Sequence, residues 1–270
     1  MVPGIREAMF RGPEEKLTET AFCQPAIFAT SVAALHTLTA AESFKTLAKP
    51  VFTCGHSLGE YSALVACGAL DFASGLKLVQ RRAQLMDEAT RKTKGGMAAV
   101  IGAEESLISE VCAKTGAQIA NYNSPDQIVI TGEAQKVEEA GNLLTQAGAK
   151  RVIPLQVSGA FHSSLMAAAA EQFAGAVEQT AFAQPAFPVL SNVDAEPTMD
   201  VSKIRQALPR QIVSSVLWTK SIEYIAAQGV SCFIELGAGT VLKGLLRKIN
   251  RDLKVISIQK VEDVEKFSLE

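Results

Sequence analysis

The residues best equipped for chemistry are Gly55-His56-Ser57-Leu58-Gly59, a G-x-S-x-G pentapeptide. It follows Val51-Phe52-Thr53-Cys54, which reads as a short buried strand, and precedes a helical pattern from Glu60. A nucleophile elbow requires that context, because the turn holds serine in a strained geometry that exposes its Oγ, and flanking glycines carry no Cβ to clash. The amide of Leu58, at the start of the next helix, would point at a developing oxyanion, assisted by the helix dipole. A serine nucleophile needs a base, and the chain has three histidines, His36, His56 and His162. His36 lies inside a helical pattern and reads as structural. His56 adjoins Ser57, and neighbours at a sharp turn generally point apart. His162 lies where a strand gives way to a helix, and a helix N-terminus favours the neutral ring that can accept a proton.

These residues must be positioned by a larger α/β framework. Residues 14–48 read as mostly helical, with Pro25 in a first turn and Phe28, Val32 and Leu35 recurring on one face. A further helix, about Phe72 to Arg91, carries Leu76, Val79, Ala83 and Met86 on one side. After Gly95-Gly96 the pattern alternates: strand 97–101, helix 104–114, strands 118–120 and 127–131 joined by Asn123-Ser124-Pro125-Asp126, helix 134–147 and strand 151–157. This βαββαβ order is ferredoxin-like. It predicts a subdomain at 95–157 inserted into a parallel-sheet domain formed by 1–94 and 158–270. The second part contributes a helix at 163–179, a strand at 187–190, and a strand at 232–235 running through Gly237-Ala238-Gly239 into a helix ending near Lys248. A dinucleotide fingerprint fails there because Leu242 stands where the third glycine belongs, so a tight turn is the better reading.

Composition narrows the function class. The 270 residues carry 26 Lys+Arg against 28 Asp+Glu, a net charge of −2, with no basic run to suit nucleic acid or an anionic membrane. Apolar stretches are interrupted every few residues, so no transmembrane span is expected, and Met1–Arg11 lacks the apolar core of a signal peptide. Five scattered cysteines form no C-x-x-C pair, which argues against a disulfide framework or a zinc site and for a reducing compartment.

Several motifs together resemble the malonyl-CoA:acyl carrier protein transacylase family: G-H-S-L-G-E-Y-S-A-L at 55–64, G-A-F-H-S at 159–163, L-S-N-V-D at 190–194 and V-L-W-T-K-S at 216–221. The resemblance spans nearly the whole chain. It implies an α/β-hydrolase-like fold with a ferredoxin-like insertion. It also implies transfer of malonyl from malonyl-CoA to the phosphopantetheine thiol of an acyl carrier protein in fatty-acid biosynthesis, with the coenzyme A thioester as substrate and no separate cofactor or metal. By matching positions, Ser57 would be the acylated nucleophile, His162 its base, and the backbone carbonyl of Gln211 would orient that base in place of a carboxylate.

On the residues alone, Arg81 and Arg82 are equally eligible to grip the malonyl carboxylate; the resemblance selects Arg82. A planar guanidinium suits that task through two parallel hydrogen bonds. His56 and Phe161 are expected to line the acyl pocket, Phe161 by filling the space an α-methyl group would need.

The resemblance also implies a strand leading into a G-Q-G-x-Q loop that supplies a second oxyanion amide. No such segment occurs in these residues, so Leu58 is the visible donor and a shortened N-terminus is expected. A serine thioesterase, or a non-catalytic module that binds the carrier, is the alternative. The expected location is the cytoplasm, or an organelle matrix if a transit peptide lies upstream.

Overall fold

The computed structural model describes residues 3–45, 49–157 and 159–268. The chain opens with helices α1 (Ile5–Arg11), α2 (Glu14–Thr18), α3 (Thr20–Ala40) and α4 (Glu42–Lys45). The long α3 begins at Thr20, so Pro25 lies well inside it rather than in its first turn, and the end of the expected helical segment, 46–48, lies outside the described residues. By length and composition alone α3 is long and apolar enough to cross a membrane, a test that the core helix of a globular protein also passes. Here it packs along α6 (Phe72–Lys92), with Gln24, Phe28 and Val32 buried.

Between those helices runs the elbow, followed by α5 (Gly59–Ala66). The segment before the elbow is extended but pairs only at Thr53, which bridges to Val189 in parallel; Val51 is exposed. Its apolar residues suggest a strand, but a strand needs partner edges along its whole length, and among the described residues Thr53 alone finds one.

The alternating unit follows: β1 (Gly95–Ile101), α7 (Glu105–Thr115), β2 (Gln118–Ser124), β3 (Gln127–Glu133), α8 (Ala134–Gln146) and β4 (Arg151–Pro154). Its sheet has the order β2-β3-β1-β4 with every neighbour antiparallel, and α7 and α8 bury Ile108, Val111, Val137 and Leu144 against it. The turn is tighter than expected. β2 continues through Ser124, leaving Pro125-Asp126 as the connection. Strand β4 stops at Pro154, so the approach to His162 is irregular.

The chain then forms a 3₁₀ turn (Ser164–Met166), α9 (Ala167–Glu178), a short hairpin of β5 (Val189–Leu190) and β6 (Pro197–Thr198), α10 (Val201–Val213), α11 (Trp218–Ala227), β7 (Cys232–Leu236), α12 (Val241–Ile249), β8 (Lys254–Ile258) and α13 (Val261–Glu265). Parallel pairing occurs in pieces: β7 lies beside β8, and isolated bridges join Thr53 to Val189 and Asn121 to Val216. The turn after β7 is not a phosphate cradle. Glu235 Oε1 accepts from the Leu242 amide at 2.9 Å, so the chain's own carboxylate occupies the start of α12.

The largest core joins α3, α5, α6, α9 and α10 around Phe28, Tyr61, Leu78, Phe173 and Leu208. Phe28 is fully buried and stacks on Phe72 with ring centroids 5.7 Å apart. Phe28→Ala should therefore cost about 3–5 kcal/mol, read as a lower urea midpoint with the slope unchanged.

Candidate active site

Ser57 sits at φ 51°, in the left-handed region a non-glycine residue rarely adopts, as an elbow demands. Asn192 clamps the turn from both sides: its Oδ1 accepts from the Ser57 amide at 2.7 Å and its Nδ2 donates to the Gly55 carbonyl at 2.8 Å. Gly55 is required sterically, since a Cβ there would collide with the Gly59 carbonyl. Helical bonding begins at once, with Gly59 N–H donating to the His56 carbonyl and Glu60 N–H to the Ser57 carbonyl. Among the described residues the Leu58 N–H has no protein acceptor, which leaves it free at the helix start.

His162 also has a positive φ, 58°, and is buried. The loop that presents it is pinned by Thr131 Oγ1, which donates to the Phe161 carbonyl at 2.9 Å, and by Ser163 Oγ, which donates to the Ala160 carbonyl at 2.6 Å. Gly95 permits the close approach, because a Cβ there would strike the Ala160 backbone. The ring reaches Ser57 Oγ through Nε2 at 2.8 Å, and its Nδ1 lies 2.8 Å from the Gln211 carbonyl and 3.2 Å from that of Ser214. Carbonyls only accept, so Nδ1 carries the hydrogen and Nε2 presents its lone pair to the serine hydroxyl. The ring's pKa is pushed down to about 3, first by burial and then by the Arg82 charge. That cause differs from the helix terminus expected from the sequence, although the consequence, a neutral ring at pH 7, is the same.

The two arginines left open by the residues separate clearly. Arg81 lies toward the surface, with a 3.5 Å contact to Gln172 Oε1. Arg82 is 1% exposed, with Nη1 donating to Gln24 Oε1 at 2.6 Å and Nη2 to Ser57 Oγ at 3.0 Å and Gln211 Oε1 at 3.1 Å. It lies over the Tyr61 ring, 5.6 Å from the centroid. Among the described residues it makes no direct ion pair, so a buried guanidinium faces the nucleophile with only neutral acceptors. Burying such a charge without a counter-ion is costly.

A cavity of about 510 Å³ opens on these groups, with Met86, Met97, Leu155 and Phe161 forming apolar walls. His56 lines it too, held by Nε2 at 2.8 Å from Asn123 Oδ1 and by a tilted contact with Trp218. Asn123 Nδ2 donates to Gln127, so Asn123 offers its oxygen and His56 Nε2 is the donor. Burial lowers the His56 pKa. His36 stands apart on α3 and takes no part.

The acyl transferase domain profile matches residues 4–266. A malonyl CoA-acyl carrier protein transacylase of Bacillus subtilis is 43% identical over 267 residues, covering 97% of this chain and 82% of that protein. The chain belongs to the malonyl-CoA:acyl carrier protein transacylase family. Solved members agree with this transacylase fold throughout. An acyl carrier protein S-malonyltransferase from Vibrio cholerae superimposes with a TM-score of 0.91 at 40% identity, covering 97% of this chain and 86% of its own. A malonyl-transacylase in complex with its type II polyketide acyl-carrier protein gives 0.92 at 38%, covering 97% and 85%.

Four polar residues of the transacylase site escape a reading by residue type: Gln24, Glu60, Asn123 and Asn192, all buried. The signal for two of them lies in spacing. Gln24 precedes Phe28 and Val32 by one and two turns on the core face of α3, and Glu60 shares a stripe with Ala63 and Leu64 on α5. A polar residue on an apolar stripe marks a network as readily as a surface.

Proposed function

We propose that this chain transfers a malonyl group from malonyl-CoA to the phosphopantetheine thiol of an acyl carrier protein, through a malonyl ester of Ser57, in fatty-acid biosynthesis. The observation that carries the choice of acyl group is the buried Arg82 guanidinium, without a direct ion pair among the described residues and 3.0 Å from Ser57 Oγ. Acetyl and malonyl differ by one carboxylate, and this cation is placed to meet it.

The steps follow from the hydrogen bonds. His162 Nε2 takes the Ser57 proton as Oγ attacks the thioester carbonyl, and the Leu58 amide receives the charge that develops on the carbonyl oxygen. The tetrahedral adduct collapses by breaking the C–S bond, and the imidazolium returns its proton to the departing coenzyme A thiol. The carrier thiol enters by the same route in reverse: it gives its proton to His162, attacks the ester, and Ser57 leaves with that proton. The Gln211 carbonyl holds the ring and shares the charge that appears on it. His56 and Phe161 shape the acyl pocket, Phe161 narrowing it where an α-methyl group would sit. We assign the catalytic body to 1–94 and 158–270 and the inserted ferredoxin-like subdomain to 95–157. All five cysteines are free thiols, which supports a reducing compartment.

Incubation with malonyl-CoA and acetyl-CoA, followed by intact mass, tests the reading. The parent chain should gain one malonyl group in preference to acetyl and lose it to carrier protein. Arg82→Met should reduce the malonyl preference about tenfold to hundredfold, the worth of a charged hydrogen bond of about 1.5–3 kcal/mol. Discharge to water as fast as to the carrier would mark a thioesterase instead.

A further inference from the structure

Glu60 is a buried carboxylate, 4% exposed, in the first turn of α5, and the acyl-transfer steps do not use it. Its Oε2 accepts from Gln211 Nε2 at 2.7 Å and from the Asn192 amide at 3.3 Å. Gln211 is fully buried, and both ends of its side chain are engaged around the nucleophile. Nε2 also donates to the Ser57 carbonyl at 2.9 Å, while Oε1 accepts from Arg82 Nη2 at 3.1 Å.

Glu60 Oε2 accepts from two N–H groups, and a primary amide has one accepting end and one donating end. Glu60 Oε2 and the Ser57 carbonyl, both acceptors, therefore fix which end of Gln211 turns toward them, and so which end is left for Arg82. With the amide reversed, an NH₂ group would face the guanidinium, two donors meeting in a buried space while the carbonyl faced a carboxylate. We infer that Glu60 is a positioning residue for acyl selectivity: by locking the Gln211 amide it holds Arg82 where a substrate carboxylate meets it. This rests on the malonyl reading above. The Gln211 main-chain carbonyl, which holds His162 Nδ1, belongs to α10 and does not turn with the side chain. The base is thus held by the main chain of Gln211 and Arg82 by its side chain.

Two substitutions distinguish an acceptor from a charge. Glu60→Met removes the acceptor at similar side-chain length, whereas Glu60→Gln retains a carbonyl oxygen that can stand where Oε2 does. Initial rates of Ser57 acylation are measured against rising malonyl-CoA and acetyl-CoA, with thermal melting of each variant. Glu60→Met should lower kcat/KM for malonyl-CoA about tenfold, mainly through KM, the loss expected when one charged hydrogen bond is misplaced. Its acetyl-CoA value should stay within about twofold, and Glu60→Gln should stay within about twofold on both substrates.

Gln211→Met acts at the other end of the same link. It should lower the preference for malonyl-CoA over acetyl-CoA about as much as Glu60→Met does, on top of a loss common to both substrates because Nε2 also donates to the Ser57 carbonyl. The double variant should lose no more of that preference than either single change. If Glu60→Met does not fold, Gln211→Met carries the test, and a loss of malonyl preference there with folding intact supports the link. Parallel losses on both substrates in Glu60→Met, equal damage from Glu60→Gln, or additive losses of malonyl preference in the double variant each overturn the inference. A parent chain with no preference for malonyl-CoA overturns the malonyl reading itself, and that result needs no variant.

Discussion

Ser57→Ala is expected to take up no malonyl group from malonyl-CoA and to transfer none to carrier protein. The expected fall in rate is on the order of 10⁶, the scale seen when a serine enzyme loses its nucleophile. The size follows from how much of the site converges on one oxygen. Ser57 Oγ donates to His162 Nε2, accepts from Arg82 Nη2, and is exposed by a backbone held at φ 51°. Alanine keeps that backbone, because Asn192 clamps the turn through main-chain atoms of Ser57 and Gly55. The variant should therefore fold, and its silence would report chemistry rather than collapse. Intact mass after incubation, with a melting curve beside it, checks both statements. An adduct persisting in Ser57→Ala would place the nucleophile elsewhere and would falsify the elbow assignment.

The elbow was readable because its chemistry is local: a glycine-flanked serine between an apolar run and a helix needs only neighbouring residues to define it. The βαββαβ unit was readable for a related reason, since its strands and amphipathic helices alternate in chain order within one continuous segment. The segment before the elbow misled for the opposite reason. Its apolar residues suggest a strand, but ladder pairing depends on edges supplied by distant residues, and among the described residues only Thr53 has one. Helix α10 shows a different difficulty. Asp200 caps it and Ile204, Leu208, Gln211 and Ile212 share its buried face, yet Pro209 interrupts the pattern that would announce a helix. Gln211 was located only by resemblance, because a backbone carbonyl leaves no trace in residue type. The choice between Arg81 and Arg82 had a physical signal: Arg82 lies among Leu78, Val79, Leu85 and Met86 on the buried face of α6. A cation on that face needs either a counter-ion or a substrate.

His162→Ala is expected to slow malonyl uptake by about 10²–10⁴, the usual worth of a positioned base. Combining it with Ser57→Ala should add nothing, since the pair acts as a unit. The pH dependence follows from the lowered pKa. An ordinary histidine at 6.5 would be mostly protonated at pH 5 and would lose about thirtyfold of its neutral form. With its pKa held down to about 3 by burial and by Arg82, His162 stays neutral across that range. Acylation should therefore keep its base on acidification to pH 5. Burial holds Glu60 up to about 7, so it titrates in the same window, and the profile is best recorded in Glu60→Gln beside the parent. Stability carries the opposite signs for the two groups. The unfolded chain binds a proton at His162 near 6.5 and the native chain refuses it until about 3, so His162 costs stability progressively as pH falls through that interval. Glu60, raised from 4.5, stabilises the fold below that value, and its contribution is lost as pH rises through about 7. Urea midpoints of His162→Ala and Glu60→Gln against pH should resolve the two contributions. The His162 variant should lose less stability on acidification than its parent, and a larger loss would contradict a buried, neutral ring. Arg82→Met supplies the last check on the arrangement. Removing that charge relieves one of the causes that depress the ring, after burial the largest, so the acid limb of the acylation profile should move to higher pH. An unmoved limb would mean that Arg82 does not act on the base across the site.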